Sequence, residues 1–439
     1  MTVKVVKFGG SSLADAKQFE KVRRIIESDP ARRFVVPSAP GKRDKNDEKV
    51  TDLLYRCYSA RDDRQTYEQT FAHIRERYLQ IERDLGVDAG MSDALESVKY
   101  EMLFQSAPDY AASRGEYLNG RLMAAYLGFP FIDAADVIVF DENGTFNPAL
   151  TQVSLRERLK NVDCAVIPGF YGAAPSGRIV TFTRGGSDIT GSVVAAAVGA
   201  DIYENWTDVS GCLMADPRIV KDARPISVVT YNELRELAYM GATVMHEDAI
   251  NPARQANIPI HILNTNAPGD AGTRIVSRID PGEMAARGVI TGIAGKKGFC
   301  IITLEKNMMH NEIGFGRKVL SVLEMHRVSF EHMPSGIDTL SLVIDERGIP
   351  DLEKLLADLT HVCHPDSIEI VRGIALIAVV GQGMAGHKGT AAQLFGSLAD
   401  ADVNIRMIDQ GSSEMNIILA VEEADFEPAV RAAYSAFEK

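Results

Sequence analysis

Val3-Lys4-Val5-Val6-Lys7-Phe8-Gly9-Gly10-Ser11-Ser12 is the stretch on which the reading of the whole chain turns. It reads as a strand that stops at a glycine pair, and a helix-compatible run from Leu13 to about Ile26 follows at once. A strand, a Gly-Gly turn and a helix start bring backbone N–H groups together, and such groups favour an anion. Lys7 can add a point charge beside the turn. The expectation is a phosphate site near the N-terminus, distinct from a Walker A loop because G-x-x-x-x-G-K-[ST] is absent. A plain chain reversal has the same local pattern, so the rest of the sequence must decide.

Residues 1–60 read as βαβα. Phe34-Val35-Val36 is a buried strand that runs into Ser38-Ala39-Pro40-Gly41 and a charged loop from Lys42 to Lys49; a helix restarts near Val50-Thr51-Asp52. Residues 64–127 are helix-periodic almost throughout, with Phe71, Ile74, Tyr78 and Ile81 on one face. Gly115-Glu116 is the exception in that stretch. A carboxylate beside glycine at a helix start could meet a cationic ligand, and a solvated glutamate would give the same pattern.

Residues 129–170 predict two or three strands. A second glycine-rich turn follows: Thr181-Phe182-Thr183-Arg184-Gly185-Gly186-Ser187-Asp188-Ile189-Thr190-Gly191. It lies between a strand (Arg178 to Phe182) and a small-residue helix (Ser192 to Val198). Arg184 offers a bidentate fork for a carboxylate or phosphate. Asp188 can bind a substrate ammonium or a hydrated Mg2+. Beyond it come a strand ending in Trp206-Thr207-Asp208, a turn at Asp216-Pro217-Arg218, helices on either side of Gly241, and strands at Ile258 to Leu263 and Gly272 to Val276. This alternation implies a mainly parallel sheet with helices on both faces. Ligands on such sheets sit at the carboxyl ends of strands, where both glycine turns are expected. His246-Glu247 fails as a zinc helix because position 250 is Ile.

The 439 residues suggest two to four domains, and a net charge of −13 argues against nucleic acid or an anionic membrane as partner. No leader-like apolar segment and no 18-residue uncharged apolar run is present. Five widely spaced cysteines fit reduced thiols and a cytoplasmic location. Beyond Asp280-Pro281-Gly282 lies an internal repeat. Gly314 matches Gly389, Val328 to Met333 matches Val403 to Ile408, and Leu340 to Ile344 matches Met415 to Leu419, all at an offset of 75 residues. Each copy reads as a βαββαβ unit. In the second, Gly381-Gln382-Gly383-Met384-Ala385-Gly386 fits a dinucleotide fingerprint, with Asp409 at about the right spacing. Too few residues follow for a Rossmann sheet, and the sister copy keeps the same element order without the fingerprint.

Together these motifs resemble the monofunctional aspartokinases across the whole chain. Lys7-Phe8-Gly9-Gly10-Ser11-Ser12 resembles the opening K-F-G-G-T-S. Arg184-Gly185-Gly186-Ser187-Asp188 resembles R-G-G-S-D, and Trp206-Thr207-Asp208-Val209-Ser210-Gly211 with Asp216-Pro217-Arg218 resembles the nucleotide segment. The resemblance implies an amino-acid-kinase αβα sandwich with a mainly parallel central sheet over residues 1–280. Two βαββαβ ACT-like α+β units would follow, at 281–371 and 372–439. It implies transfer of the γ-phosphoryl of ATP, with Mg2+, to the β-carboxylate of L-aspartate. Lys7 and the amides of Gly9 and Gly10, with Ser11, would hold the phosphates. Arg184 would clamp the α-carboxylate and Glu116 the ammonium. Thr51 and Asp188 would complete the substrate shell, Lys7 and Asp188 acting in catalysis. Thr207, Asp208 and Arg218 would line the nucleotide. Feedback by lysine or threonine would use Met309, Asn311, Gly314, Phe315, Glu331, Ser335 and Asp338, in a homodimer or dimer of dimers joined through the ACT units.

The chain departs from the family pattern at named points. Phe182-Thr183 stands for Leu-Gly, Asn119 for Ser, and Leu213 for Tyr. Thr243 replaces a lysine expected near the ATP phosphates, for which Lys42, Arg43 and Lys45 are substitutes by composition. A non-catalytic ACT-domain amino-acid sensor is the alternative of another class; a kinase acting on glutamate is the nearer one.

Overall fold

The computed structural model describes residues 2–183, 185–242, 245 and 247–438, with the backbone alone at 247, 285 and 286. It divides into two compact units. The first comprises Met1–Cys212, Pro225–Tyr231 and Val244–Ile279; the second comprises Leu213–Arg224, Asn232–Thr243 and Asp280–Lys439.

The first unit begins with β1 (Lys4–Phe8), α1 (Ala16–Glu27), β2 (Arg32–Pro37), α2 (Val50–Ser59), α3 (Arg64–Leu85), α4 (Met91–Met102) and α5 (Asp109–Leu127). It continues through α6 (Pro148–Leu159), β3 (Ala165–Val166), β4 (Tyr171–Ala173), β5 (Ile179–Thr181), α7 (Gly186–Val198) and β6 (Ile202–Thr207). After β7 (Val228–Thr230) and α8 (Tyr231–Tyr239), whose residues from Asn232 on belong to the second unit, come α9 (Glu247–Gln255), β8 (Ile260–Asn264) and β9 (Thr273–Val276). The main sheet runs β3-β2-β1-β6-β8-β9-β7, parallel except between β8 and β9.

Strand β1 lies inside this sheet with helices on both faces, which is why Val5, Val6 and Phe8 are all fully buried. Val6 and Phe8 enter a core shared with α1 to α5. The strand period of two turns Val5 and Lys7 to the opposite face, toward α7.

Three local expectations are corrected. The helix after Gly10 is first a 3-10 turn (Gly10–Leu13); α1 starts only at Ala16, where the Asp15 side chain caps it by accepting from Gln18 N at 3.0 Å. Glu116 stands in the middle of α5, a full two turns from its start. The second glycine turn follows β5, which pairs only with β4 in a separate two-stranded sheet, so it does not leave the main sheet directly. Its helix starts at Gly186, earlier than Ser192, because Gly185 takes the left-handed cap conformation at φ 59°.

The second unit contains α10 (Pro281–Ala286), β10 (Gly292–Glu305), α11 (Phe315–His326), β11 (Thr339–Asp345), α12 (Leu352–Cys363) and β12 (Ser367–Val380). Then come α13 (Thr390–Asp400), β13 (Met407–Asp409), β14 (Asn416–Glu422) and α14 (Phe426–Phe437), and the sheet runs β11-β10-β12-β14-β13, antiparallel. The repeat is visible in the backbone. Gly298 and Gly373, Gly314 and Gly389, and Arg327 and Asp402 are pairs 75 residues apart, and all six have positive φ.

Strands β10 and β12 are each long enough to serve two cores. Cys300, Ile302 and Leu304 of β10 enter the first, with α11 and α12; Ile293 enters the second, with α13 and α14. Ala375, Ile377 and Val379 of β12 join the second core, while Ile368 and Ile370 pack on the first. The fingerprint glycines have a packing reason. A β-carbon on Gly381 would lie 2.7 Å from Ile290 Cα, and one on Gly383 2.7 Å from Val289 O. Residues 232–243 join this unit through buried Glu233, which accepts from Thr291 Oγ1 at 2.6 Å, Gln382 N at 2.8 Å and Arg287 at 3.0 Å.

Candidate active site

Lys7 ends β1 next to β6, in register with Asn205. Its Nζ lies 2.6 Å from Asp188 Oδ1 and donates to Asn205 Oδ1 at 3.3 Å; Asn205 Nδ2 in turn donates to Asp188 Oδ1 at 2.9 Å. Lys7 is only 7% exposed. The triangle therefore holds a nearly buried ammonium in one place. Asp188 sits in the first turn of α7, where a carboxylate is favoured by the helix dipole. Gly191 lets α7 settle on β6, since a β-carbon there would meet the Tyr203 hydroxyl at 2.5 Å. The Tyr203 hydroxyl donates to Asp188 O at 3.2 Å.

The glycine pair works by close approach. Gly9 is extended, and its N–H donates to Trp206 O at 3.0 Å. That amide closes the strand pairing and is not available to a phosphate, which corrects the expectation for Gly9. Gly10 lies against Gly41: Gly41 N donates to Gly10 O at 2.8 Å, and a β-carbon on Gly10 would lie 2.8 Å from Ala39 O. Ser11 is partly exposed in the same loop, and Ser12 is buried on Thr265 with the hydroxyls 2.8 Å apart. The loops after β1 and β2 are thus one packed structure.

That second loop also builds the surroundings of Glu116. Gly115 lies under it, and Asn119 Nδ2 donates to Ser38 O at 2.6 Å. The neighbouring Ala39 backbone amide lies close enough to the Glu116 carboxyl to favour its ionised form. Glu116 is 6% exposed and burial pushes its carboxyl up to about 8, against the opposing pull of Ala39 N–H, Arg114 and Lys7. Glu116 Oε2 and Asn119 Oδ1 are both buried with no hydrogen-bond partner. Thr51 stands in the first turn of α2, which is tied to the loop by Val50 N donating to Pro40 O at 3.3 Å.

Arg184 lies outside the described residues. Its flanks are well anchored. Thr181 N and Oγ1 both donate to Asp109 Oδ1 at 3.0 Å, fixing β5 to the start of α5. Phe182, a departure from the family pattern, packs at an angle against Phe140 and Phe146, with ring centroids 5.0 and 5.1 Å away and planes inclined by 57° and 62°. Phe170 holds a strained φ of 79°, its N–H on Thr190 Oγ1 at 3.1 Å. Sequence reasoning missed Phe170 and Asn205. The signal for Asn205 is the parallel pairing of β1 with β6, which requires the strand order.

Thr207 and Asp208 follow β6, with Thr207 Oγ1 donating to Asp208 Oδ1 at 3.2 Å. Arg218 belongs to the second unit, where it is exposed and paired with Asp216 at 2.6 Å. Thr243 lies outside the described residues. Arg43 is bound by Asp47 at 3.0 Å, and Arg77 pins the same Asp47 at 2.6 Å, so Arg43 is committed to its own loop. Lys42 and Lys45 are exposed.

Of the expected effector residues, the turn 308–314 meets the segment 335–338 through Met308 N to Asp338 Oδ1 at 2.9 Å and His310 N to Ile337 O at 3.1 Å. Gly314 caps α11 at φ 84°, Ser335 pairs with Leu340, and Asn311 Nδ2 lies 4.0 Å from Met308 Sδ. Met309 and Phe315 are 7% and 4% exposed and belong to the first core, a packing role. Glu331 accepts from the Tyr239 hydroxyl. Among the described residues, no helix is long and apolar enough to cross a membrane.

The amino acid kinase family profile matches residues 2–264, and an ACT domain profile matches residues 377–437. Aspartokinase 3 of Bacillus subtilis is 39% identical over 99% of this chain and 98% of its own length. Chloroplastic aspartokinase 1 of Arabidopsis thaliana is 28% identical over 99% and 80%. Among solved structures, aspartate kinase of Clostridium acetobutylicum matches at a TM-score of 0.89 and 50% identity, covering 100% of both chains. Aspartokinase III of E. coli in complex with aspartate and ADP matches at 0.74 and 26%, also covering 100% of both. The chain belongs to the amino acid kinase family and, within it, to the aspartokinases.

Proposed function

We propose that this enzyme transfers the γ-phosphoryl group of ATP to the β-carboxylate of L-aspartate, giving 4-phospho-L-aspartate and ADP. The observation that carries the reading is a pre-positioned cation, Lys7 on Asp188 and Asn205, within electrostatic reach of a buried carboxyl, Glu116, that has an unpaired oxygen. The relative from E. coli that holds aspartate and ADP supports it. An aspartate carboxylate, at a pKa of about 3.9, is already ionised at neutral pH and needs no general base. The protein's task is alignment and neutralisation of charge on the phosphoryl group.

In this reading Lys7 meets the transferring phosphate beside Gly10 and Ser11. Glu116 takes the substrate ammonium. Thr51, Asp188 and Arg184 complete the shell, Arg184 by motif alone. Thr207 and Asp208 face the nucleotide; Arg218 is assigned to it by motif alone. Mg2+ is assigned to the nucleotide's phosphates, where phosphoryl transfer needs its charge. The first regulatory repeat takes lysine, threonine or both; a complex of the E. coli relative with lysine and aspartate supports an amino-acid effector. Exposed Met308, Ile313 and Ile337 around the effector turn support pairing of two chains through these repeats.

A coupled ADP-release assay with Mg-ATP tests this, run with L-aspartate and L-glutamate side by side. Turnover with aspartate alone is expected. No turnover at saturating substrates would leave an amino-acid sensor as the reading, and turnover with glutamate would reassign the substrate.

A further inference from the structure

We infer that Asn119 is a specificity-determining contact, its Oδ1 accepting a hydrogen bond from the substrate's α-ammonium beside Glu116. This rests on the reading of Glu116 as the ammonium's partner and extends it to a residue that replaces the serine of the family pattern.

Asn119 is fully buried in α5, three residues after Glu116, so the two side chains share a face of the helix. Its amide orientation is forced: the group within 2.6 Å of the Ser38 carbonyl oxygen must be the Nδ2 donor. The carbonyl Oδ1 is therefore the free end, and it is buried without a partner. Successive backbone groups of one loop face the two side chains: Ser38 O accepts from Asn119 Nδ2, and the Ala39 amide lies beside the Glu116 carboxyl. Each side chain is left with one unpaired acceptor, Oδ1 and Oε2, on the same stretch of helix and loop.

Buried acceptors are nearly always paired, and a pair of orphans points to a missing donor. An ammonium can give one proton to each oxygen and also neutralises the ionised Glu116, which a bridging water with the same two protons does not. A hydroxyl supplies only one proton. Arg114, whose Nη2 is also buried without a partner, acts on Glu116 through its charge; its guanidinium lies over the rings of Tyr110 and Tyr117, each at 4.5 Å.

The test compares L-aspartate with succinate, which keeps both carboxylates and lacks the ammonium. In Asn119→Leu, nearly isosteric and without an acceptor, KM for aspartate should rise roughly 10- to 100-fold, the loss of one hydrogen bond to a charged group. The inhibition constant of succinate should stay within about threefold of wild type, a margin of under 1 kcal/mol. Equal weakening of aspartate and succinate would mean a packing role and overturn the proposal, as would an unaltered KM. Asn119→Ser, which disturbs packing less and keeps a hydroxyl, should weaken aspartate selectively but by less; if Asn119→Leu does not fold, this variant decides on the same ratio. Glu116→Gln separates the two levels. If it leaves KM for aspartate unaltered, the ammonium reading itself fails. If it raises KM while both Asn119 variants do not, only the present inference fails.

Discussion

Gly115 and Ala39 are in contact so close that a β-carbon at 115 would stand 2.7 Å from the Ala39 β-carbon. Alanine in place of glycine inside a helix ordinarily stabilises by about 1 kcal/mol. Here the sign should reverse, because Ala39 must retreat and its amide lies beside the Glu116 carboxyl. Gly115→Ala is expected to cost about 1–3 kcal/mol in urea denaturation. It should also raise KM for aspartate, because the same loop supplies Ser38 O to Asn119.

Lys7→Ala should lower kcat roughly 100- to 1000-fold, the usual loss on removing one transition-state charge contact. The fold should survive, because Asp188 keeps Asn205 and its side chain is 20% exposed to water. Circular dichroism and steady-state kinetics check the two halves. A kcat like that of wild type would remove Lys7 from the chemistry.

Glu116 makes stability depend on pH in a known direction. Its carboxyl titrates near 4.5 when free and near 8 in the folded, unliganded chain. The folded state therefore binds more protons than the unfolded one between these values. The favourable contribution is complete below about 4.5 and is lost as pH rises to about 8. Denaturation midpoints measured across this window should fall more steeply for wild type than for Glu116→Gln. Aspartate binding, which needs the ionised carboxylate, should release a proton near pH 7 in calorimetry run in buffers of different ionisation enthalpy.

Tyr239 holds Glu331 through its hydroxyl. If Glu331 meets an effector's ammonium, that hydroxyl competes for it. Tyr239→Phe should then tighten effector binding by about fivefold, the worth of one part-exposed hydrogen bond near 1 kcal/mol. Titration calorimetry with lysine and with threonine reads this. Weaker binding in the variant would show that Tyr239 presents Glu331 and does not compete for it.

Strand and helix existence in the first unit was legible because Val5-Val6 and Phe34-Val35-Val36 are short apolar runs stopped by glycine or proline turns, and α3 keeps a helical period. Lys7 and Asp188 were legible as site candidates because each abuts a glycine turn. Asn205 was not, since its proximity to Lys7 comes from β6 pairing with β1 across nearly 200 residues. The amide of Gly9 was misjudged for the same reason: strand pairing claims it before any ligand can. Glycine spacing announces a turn without telling whether it serves an anion or, as at Gly10 and Gly41, backbone packed on backbone. In the second unit Met309 and Phe315 looked like pocket residues by position, yet their apolar side chains are drawn into the core.

Strands β10 and β12 run through both cores of the second unit, and Gly298 and Gly373 hold positive φ at the crossing, where the pairing shifts register. No seam exists along which one repeat can be cut free of the other. Severing the chain between 371 and 372 would divide a strand that both halves need. The two repeats are splinted by shared backbone, and the one place where a distortion of register can be taken up is the irregular pairing around Gly298, between Lys297 and Ile301.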